Sequence, residues 1–240
     1  MKDKIVFITG GTSGYGKAMA KLFADEGAKV TIAARKLDDL AQTAAEIGCD
    51  AMRMDVTDFG AWRDARDSIM KKHGRIDVLI NNAGGGVAIK NVVDQTKAEI
   101  DRAIQLNLNS VIYAANVFAP IFQKQCSGTI INMSSVCARQ CWPEWSVYAA
   151  AKAGVLNFSK GLYTELQPYG VRVTCLLPAS AATRFQLRPA LTMLFASSEP
   201  TILPKPPCSS ASCPLTQSSR TSPSGASIRL SIRCDSPMRL

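Results

Sequence analysis

At 240 residues, 47% of them hydrophobic and 20% charged, the chain fills one domain, has too little for two, and lacks the composition of a disordered polymer. The formal charge is +9, but from Arg188 onward six basic residues face two acidic ones, so almost half of the excess sits in the last quarter; no basic stripe interleaved with aromatics marks a nucleic-acid binder. The single histidine, His73, excludes a histidine triad or His-rich metal site, and no apolar run reaches membrane-span length, so the expectation is a cytoplasmic protein with no metal, nucleic acid or membrane partner.

In chain order, short apolar strands are predicted at Lys4–Thr9, Lys29–Ala34, Asp50–Asp55, Ile76–Asn81, Gly128–Ser134 and Val171–Leu177. Amphipathic helical patterns lie between them at 14–26, 37–47, 58–73, 97–124 and 148–167. Near-continuous apolar strands alternating with helices imply α/β architecture, a doubly wound parallel sheet covered on both faces. Its ligands belong at the carboxyl ends of the strands. The eight cysteines form no CxxC pair, and Cys49, Cys126, Cys137, Cys141 and Cys175 fall singly in separate segments, so reduced thiols are expected.

Beyond about Leu187 the text changes. From Ser197 to Leu240 there is no aromatic residue, and prolines at 200, 204, 206, 207, 214 and 223 forbid a long helix or a central strand. The chain therefore divides into a domain over 1–187 and a Ser/Pro/Arg-rich tail over 188–240, disordered by composition or read from a shifted frame or alternative terminus.

Three clusters carry chemistry. Thr9-Gly10-Gly11-Thr12-Ser13-Gly14-Tyr15-Gly16 joins the first strand to the first helix, where glycines allow a pyrophosphate to approach the backbone and the helix N-terminus offers free N–H groups. The second strand ends in Arg35 and Lys36, with no acid until Asp38. Two cations there suit a ribose 2′-phosphate and favour NADP over NAD, although a solvated helix start would read the same way. Ser134-Ser135 precede Tyr148 and Lys152, which lie four apart on one helix face. A tyrosine with its ordinary pKa of ~10 is a poor base, and a neighbouring ammonium lowers that value.

Together these residues resemble the short-chain dehydrogenase/reductase family over about residues 4–185, with five motifs in order. TGGTSGYG at 9–16 is similar to the family's cofactor loop, and Asp55-Val56 to its adenine-contacting pair. Asn81-Asn82-Ala83-Gly84 resembles its strand-four motif, Asn107 falls at its catalytic asparagine, and Ser135 stands thirteen residues before Tyr148. The resemblance implies a Rossmann-like single domain in which Tyr148 exchanges the hydroxyl proton and Lys152 binds the nicotinamide ribose. Ser135 would hydrogen-bond the substrate oxygen, and Asn107 would hold a water. Gly10, Thr12, Ser13, Gly14, Tyr15, Gly16, Arg35, Lys36, Asp55, Val56, Asn82, Ala83, Gly84, Pro178 and Thr183 would join Tyr148 and Lys152 around the cofactor.

The match fails after the sixth strand. Ala179 stands where the family has glycine, and neither a substrate-covering helix nor a seventh strand is recognisable. The expectation is an absent seventh strand, Val171–Leu177 left as an open edge, and reduced stability and turnover. The leading function is NADP(H)-dependent interconversion of an alcohol and a ketone or aldehyde. A non-catalytic NADP sensor and an enzyme inactivated by its terminus are the competing readings. Trp142 and Trp145, between Ser135 and Tyr148, hint at an apolar or cyclic substrate, or serve as core or interface residues. Small residues on two long helices (Ala114, Ala115, Ala149, Ala150, Ala153, Gly154) fit either a homodimer or homotetramer contact or packing within one subunit.

Overall fold

Five- and six-residue apolar runs with no polar alternation can bury both faces only in the middle of a helix-covered sheet. The computed structural model describes residues 1–179, and within them the runs form six parallel strands: β1 (Ile5–Thr9), β2 (Lys29–Ala34), β3 (Asp50–Arg53), β4 (Val78–Asn81), β5 (Gly128–Met133) and β6 (Val171–Leu176). Their order is β3-β2-β1-β4-β5-β6. The direction in which strands are added to the sheet reverses between β1 and β4, which opens a crevice at the carboxyl ends of those two strands.

Six α-helices accompany the sheet: α1 (Gly14–Asp25), α2 (Leu37–Ile47), α3 (Phe59–His73), α4 (Lys97–Ile104), α5 (Ser110–Gln125) and α6 (Ser146–Leu166). Alternate residues of each strand supply two cores. Ile5, Phe7, Leu79 and Ile130 pack with Trp62 of α3, Phe118 and Phe122 of α5 and Leu162 of α6. Val6, Ile8, Ile80 and Ile131 face Met19 and Phe23 of α1 and Leu40 of α2. Phe7, Trp62 and Phe118 meet edge-on or tilted, with centroids 5.8–6.3 Å apart, and the Trp62 indole N–H donates to the Val56 carbonyl at 2.9 Å. Local signals set the helix limits. Asp58 accepts from Gly60 N at the start of α3, Thr96 and Glu99 form a capping box on α4, and α2 and α3 stop at left-handed Gly48 and Gly74.

The long helix expected over 97–124 is broken. A π-helical turn, Gln105–Asn109, separates α4 from α5, and such turns leave no trace in hydrophobic period. β3 stops at Arg53 because it is a sheet edge whose residues alternate in burial.

Three of the six small residues considered for subunit contacts, Ala114, Ala115 and Ala149, are buried in the subunit's own packing, whereas Ala150 is exposed. Cys49, Cys137, Cys141 and Cys175 are free, as expected. Among the described residues β6 is a sheet edge, no helix is long and apolar enough to cross a membrane, and no His/Cys/Asp/Glu group could hold a metal. Thr183, the 188–240 tail and the position of a seventh strand lie outside the described residues.

Candidate active site

A cleft of about 1140 Å³ runs along the carboxyl ends of the strands. Its floor begins at the loop after β1. A Cβ on Gly16 would lie 2.1 Å from the Gly10 carbonyl oxygen and 2.5 Å from Asn82 Nδ2, so only glycine lets α1 start this close to the loop. Asn82 staples that loop from β4, with Nδ2 donating to the carbonyls of Thr9 and Gly10 at 3.0 Å each. Thr9 Oγ1 in turn accepts from the N–H groups of Asn82 and Ala83 at 3.2 Å. At Gly14, φ is +50° and no described atom lies within 4 Å of a built Cβ. The first turn of α1 carries no acid, and its N-cap Ser13 makes no side-chain capping bond. Open backbone, a helix N-terminus without an acidic residue and the Ser13 hydroxyl together fit a pyrophosphate.

At the far end, Ala34, Arg35 and Lys36 line the cleft beyond β2, and Asp39 joins them. Sequence spacing alone does not single out Asp39, although it stands four residues after Arg35 where α2 begins. Val56 lines the cleft beside Met54, whereas Asp55 turns its carboxylate onto its own loop and accepts from Thr57 N at 3.0 Å and Thr57 Oγ1 at 2.8 Å. Burial alone would raise the Asp55 pKa. The Thr57 bonds, with Arg35 and Arg102, outweigh it and hold the carboxylate below its ordinary range. Asn82, Ala83, Gly84 and Gly85 form the cleft wall after β4.

The remaining groups converge where β5 ends. Ser135 and Tyr148 both line the cleft, with the Ser135 side chain near enough to the phenol to pull its pKa down. Ser135 Oγ also accepts from Cys137 N at 3.2 Å. Ser134 plays a different part, since its hydroxyl donates to the Lys152 carbonyl at 2.7 Å and ties α6 to β5. The Lys152 side chain is buried; Nζ donates to the Met133 carbonyl at 2.9 Å and lies 5.7 Å from the Tyr148 ring centroid. A Cβ built on Gly84 would stand 3.1 Å from Lys152 Nζ and 2.9 Å from Asn107 Oδ1, which places both polar groups against one backbone position.

Asn107 sits within the π turn, fully buried. Its amide donates to Gly85 O at 2.9 Å and Ala103 O at 3.0 Å, and its oxygen accepts from Gly85 N at 2.9 Å. The residue therefore clamps the loop after β4. Pro178 lines the cleft beside Ala179, whose carbonyl accepts from the Tyr15 hydroxyl at 3.4 Å, so the loop after β6 meets the glycine loop directly.

One electrostatic expectation is reversed. Spacing alone suggests that the Lys152 ammonium lowers the Tyr148 pKa, but the Tyr148 pKa is raised: burial is the largest cause, opposed by the Ser135 hydrogen bond and reinforced by Cys137. The ammonium points at a main-chain carbonyl rather than at the phenol, and burial lowers its own pKa to about 8. At neutral pH the pair is thus a neutral phenol beside a protonated lysine. Ser135 is the polar link to Tyr148.

Comparison with known proteins places this arrangement. Residues 4–189 match the family described as short chain dehydrogenase. Over 189 residues the chain is 36% identical to tropinone reductase-like 2 of Erythroxylum coca, covering 76% of this chain and 68% of that protein. An uncharacterized oxidoreductase of Staphylococcus aureus (strain N315) is 34% identical over 187 residues, covering 76% and 80%. A short chain dehydrogenase from Mycobacterium smegmatis superposes with a TM-score of 0.72 at 33% identity, covering 76% of this chain and 79% of that one. Levodione reductase does so with a TM-score of 0.73 at 28% identity, covering 82% and 79%. With its parallel six-stranded sheet and the glycine loop at the switch point, the chain belongs to the short-chain dehydrogenase family of oxidoreductases.

Proposed function

We infer that the chain interconverts an alcohol and a ketone or aldehyde using NADP(H), with Tyr148 as the acid/base. The observation that carries this reading is the meeting of Tyr148, Ser135 and Lys152 in the cleft whose other end holds the glycine loop and Arg35-Lys36. Gly10, Thr12, Ser13, Gly14 and Tyr15 would cradle the pyrophosphate, Arg35 and Lys36 the 2′-phosphate, and Lys152 the nicotinamide ribose. When bound, the dinucleotide supplies or accepts the hydride.

The chain's own residues manage the proton. In reduction, the neutral Tyr148 phenol gives its proton to the carbonyl oxygen, and the Ser135 hydroxyl beside it helps fix the oxygen's position. The Lys152 ammonium, 5.7 Å from the ring centroid, stabilises the negative charge left on the tyrosine. Asn107 keeps the loop at Gly84–Gly85 in place beside Lys152.

The test is NADPH oxidation by a ketone panel, followed by the loss of NADPH absorbance, in parallel with NADPH fluorescence titration. Tyr148→Phe is expected to lower kcat by roughly 10²–10⁴-fold and leave NADPH binding in place. Parent-level turnover in that variant, or failure of the parent to bind NADPH, refutes the reading.

A further inference from the structure

The geometry points to a neutral, ring-bearing ketone or alcohol as the substrate class, held by an aromatic slot built from Trp142 and Trp145. This inference rests on the oxidoreductase reading and adds what the reacting groups alone do not specify. The cleft's charged lining residues are Arg35, Lys36, Asp39 and Lys152. The first three follow β2, and β2 stands three strand positions from β5, about 14 Å at the usual strand spacing. Lys152 is buried, with its ammonium donating to the Met133 carbonyl. Among the described residues, therefore, the end of the cleft near Tyr148 offers no free charge to a substrate. Its other lining there is Leu106, Val136, Cys137, Gln140, Trp142 and Trp145. A carboxylate brought against that wall would give up water and find no free cation among the described lining residues.

Shape narrows the class further. The Trp145 ring meets the Tyr148 ring edge to face, centroids 5.4 Å apart at 77°, so one wall of the slot is braced against the reacting phenol itself. Trp145 also sets the start of α6, its carbonyl accepting from Ala149 N at 2.8 Å. Trp142 lines the cleft but remains 43% exposed, an apolar face without full cover among the described residues. Aromatic faces gain most from a flat or cyclic partner, and a rigid ring loses less conformational entropy on binding than an open chain. The cleft volume of about 1140 Å³ exceeds the ~300–1,000 Å³ typical of a site for one drug-sized ligand, which leaves room for a second molecule beside a dinucleotide. Gln140 is the uncharged polar group at the rim, able to bond a ring substituent.

Three probes separate the possibilities: 2-tetralone, a neutral fused-ring ketone; 2-butanone, neutral and open-chain; and pyruvate, charged. Each is titrated by calorimetry into the full chain saturated with NADP⁺, and each is assayed for NADPH oxidation. We expect 2-tetralone to bind and turn over with a KM at least about tenfold below that of 2-butanone, and pyruvate to do neither. Trp142→Ala should raise the 2-tetralone KM about fivefold to tenfold with at most about a twofold change in kcat, and Trp142→Phe should restore it. Pyruvate bound or reduced as well as 2-tetralone overturns the inference, as does a 2-tetralone KM unmoved by Trp142→Ala, or no 2-tetralone binding at all. If 2-tetralone binds but no carbonyl consumes NADPH, the slot stands and the oxidoreductase reading of this chain falls.

Discussion

Gly16→Ala is the substitution whose consequence the structure states most directly. The added Cβ would sit 2.1 Å from the Gly10 carbonyl oxygen and 2.5 Å from Asn82 Nδ2, and the first of these is backbone that no rotamer change can move. Either α1 shifts or the loop lifts off β4, and lifting breaks the two 3.0 Å bonds from Asn82 to Thr9 and Gly10. Overpacking of this kind costs about 1–3 kcal/mol, and each lost hydrogen bond about 1 kcal/mol. The better helix propensity of alanine offsets up to about 1 kcal/mol. The net loss is about 3 kcal/mol, a fall in Tm of roughly 6–12 °C for a domain of this size. NADPH affinity should drop at least about tenfold, because the displaced loop is the proposed pyrophosphate cradle. Gly14→Ala is the comparison: its Cβ meets no described atom, so it bears only the left-handed strain of about 1–2 kcal/mol. Thermal melts and fluorescence titration of both variants measure the difference. A Gly16→Ala protein that melts with the parent and binds NADPH as tightly refutes the close-approach argument.

Replacing Arg35 with alanine should weaken NADPH by roughly tenfold to a hundredfold, the worth of one charged hydrogen bond, while NADH binding stays near the parent value. Equal losses for both nucleotides would remove Arg35 from the 2′-phosphate. Lys152 has a folded pKa of about 8 against an ordinary 10.5, so between these values the unfolded chain holds more protons than the folded one. Stability contributed by this group therefore rises with pH across about 8 to 10.5, by up to about 3 kcal/mol. Urea melts of the parent and Lys152→Met at a pH of about 7.5 and about 9.5 should show about 2 kcal/mol of that increment only in the parent, and identical pH slopes would contradict the buried-ammonium assignment.

How far the sequence could be read follows from which signals are local. α2 matches its expected span, 37–47, because an amphipathic pattern runs straight into the Gly48 stop. The parallel sheet was legible from the strands' lack of polar alternation, and the tight loop before α1 from glycines placed between a strand and a helix. The π turn at 105–109 was not, because the apolar positions on either side keep an acceptable helical period while the backbone takes in an extra residue. Ser134 and Ser135 are adjacent and chemically identical. Sequence spacing separated them only through the family resemblance, whereas in the structure the Ser134 hydroxyl is committed to Lys152 O and Ser135 acts on the Tyr148 phenol. The direction of the Tyr148 shift was misread for a related reason. Tyr-x-x-x-Lys spacing fixes proximity, but burial and the orientation of Nζ depend on strands far away in sequence.

The ties that place Tyr148 and Lys152 can be followed residue by residue, and they lie within the described chain. Asn81 Nδ2 on β4 donates to Asn132 Oδ1 on β5 at 2.8 Å, Asn132 Nδ2 donates to Ser159 Oγ on α6 at 2.9 Å, and Ser159 donates onward to Val155 O at 2.7 Å. Closer to the cleft, the Ser134–Lys152 and Lys152–Met133 bonds repeat the link between β5 and α6. Val136 N donates to Pro178 O at 3.1 Å and holds the Ser135 loop to the exit of β6. Buried hydrogen bonds of this kind are costly to leave half-made, so α6 has one favourable height and rotation on the sheet. Asn81, Asn132, Ser134 and Ser159, none of them a proposed reacting group, thus help determine where the phenol and the ammonium stand. The positions of the proposed reacting groups depend on residues before 180, while the covering of the cleft they face is a separate requirement on the chain.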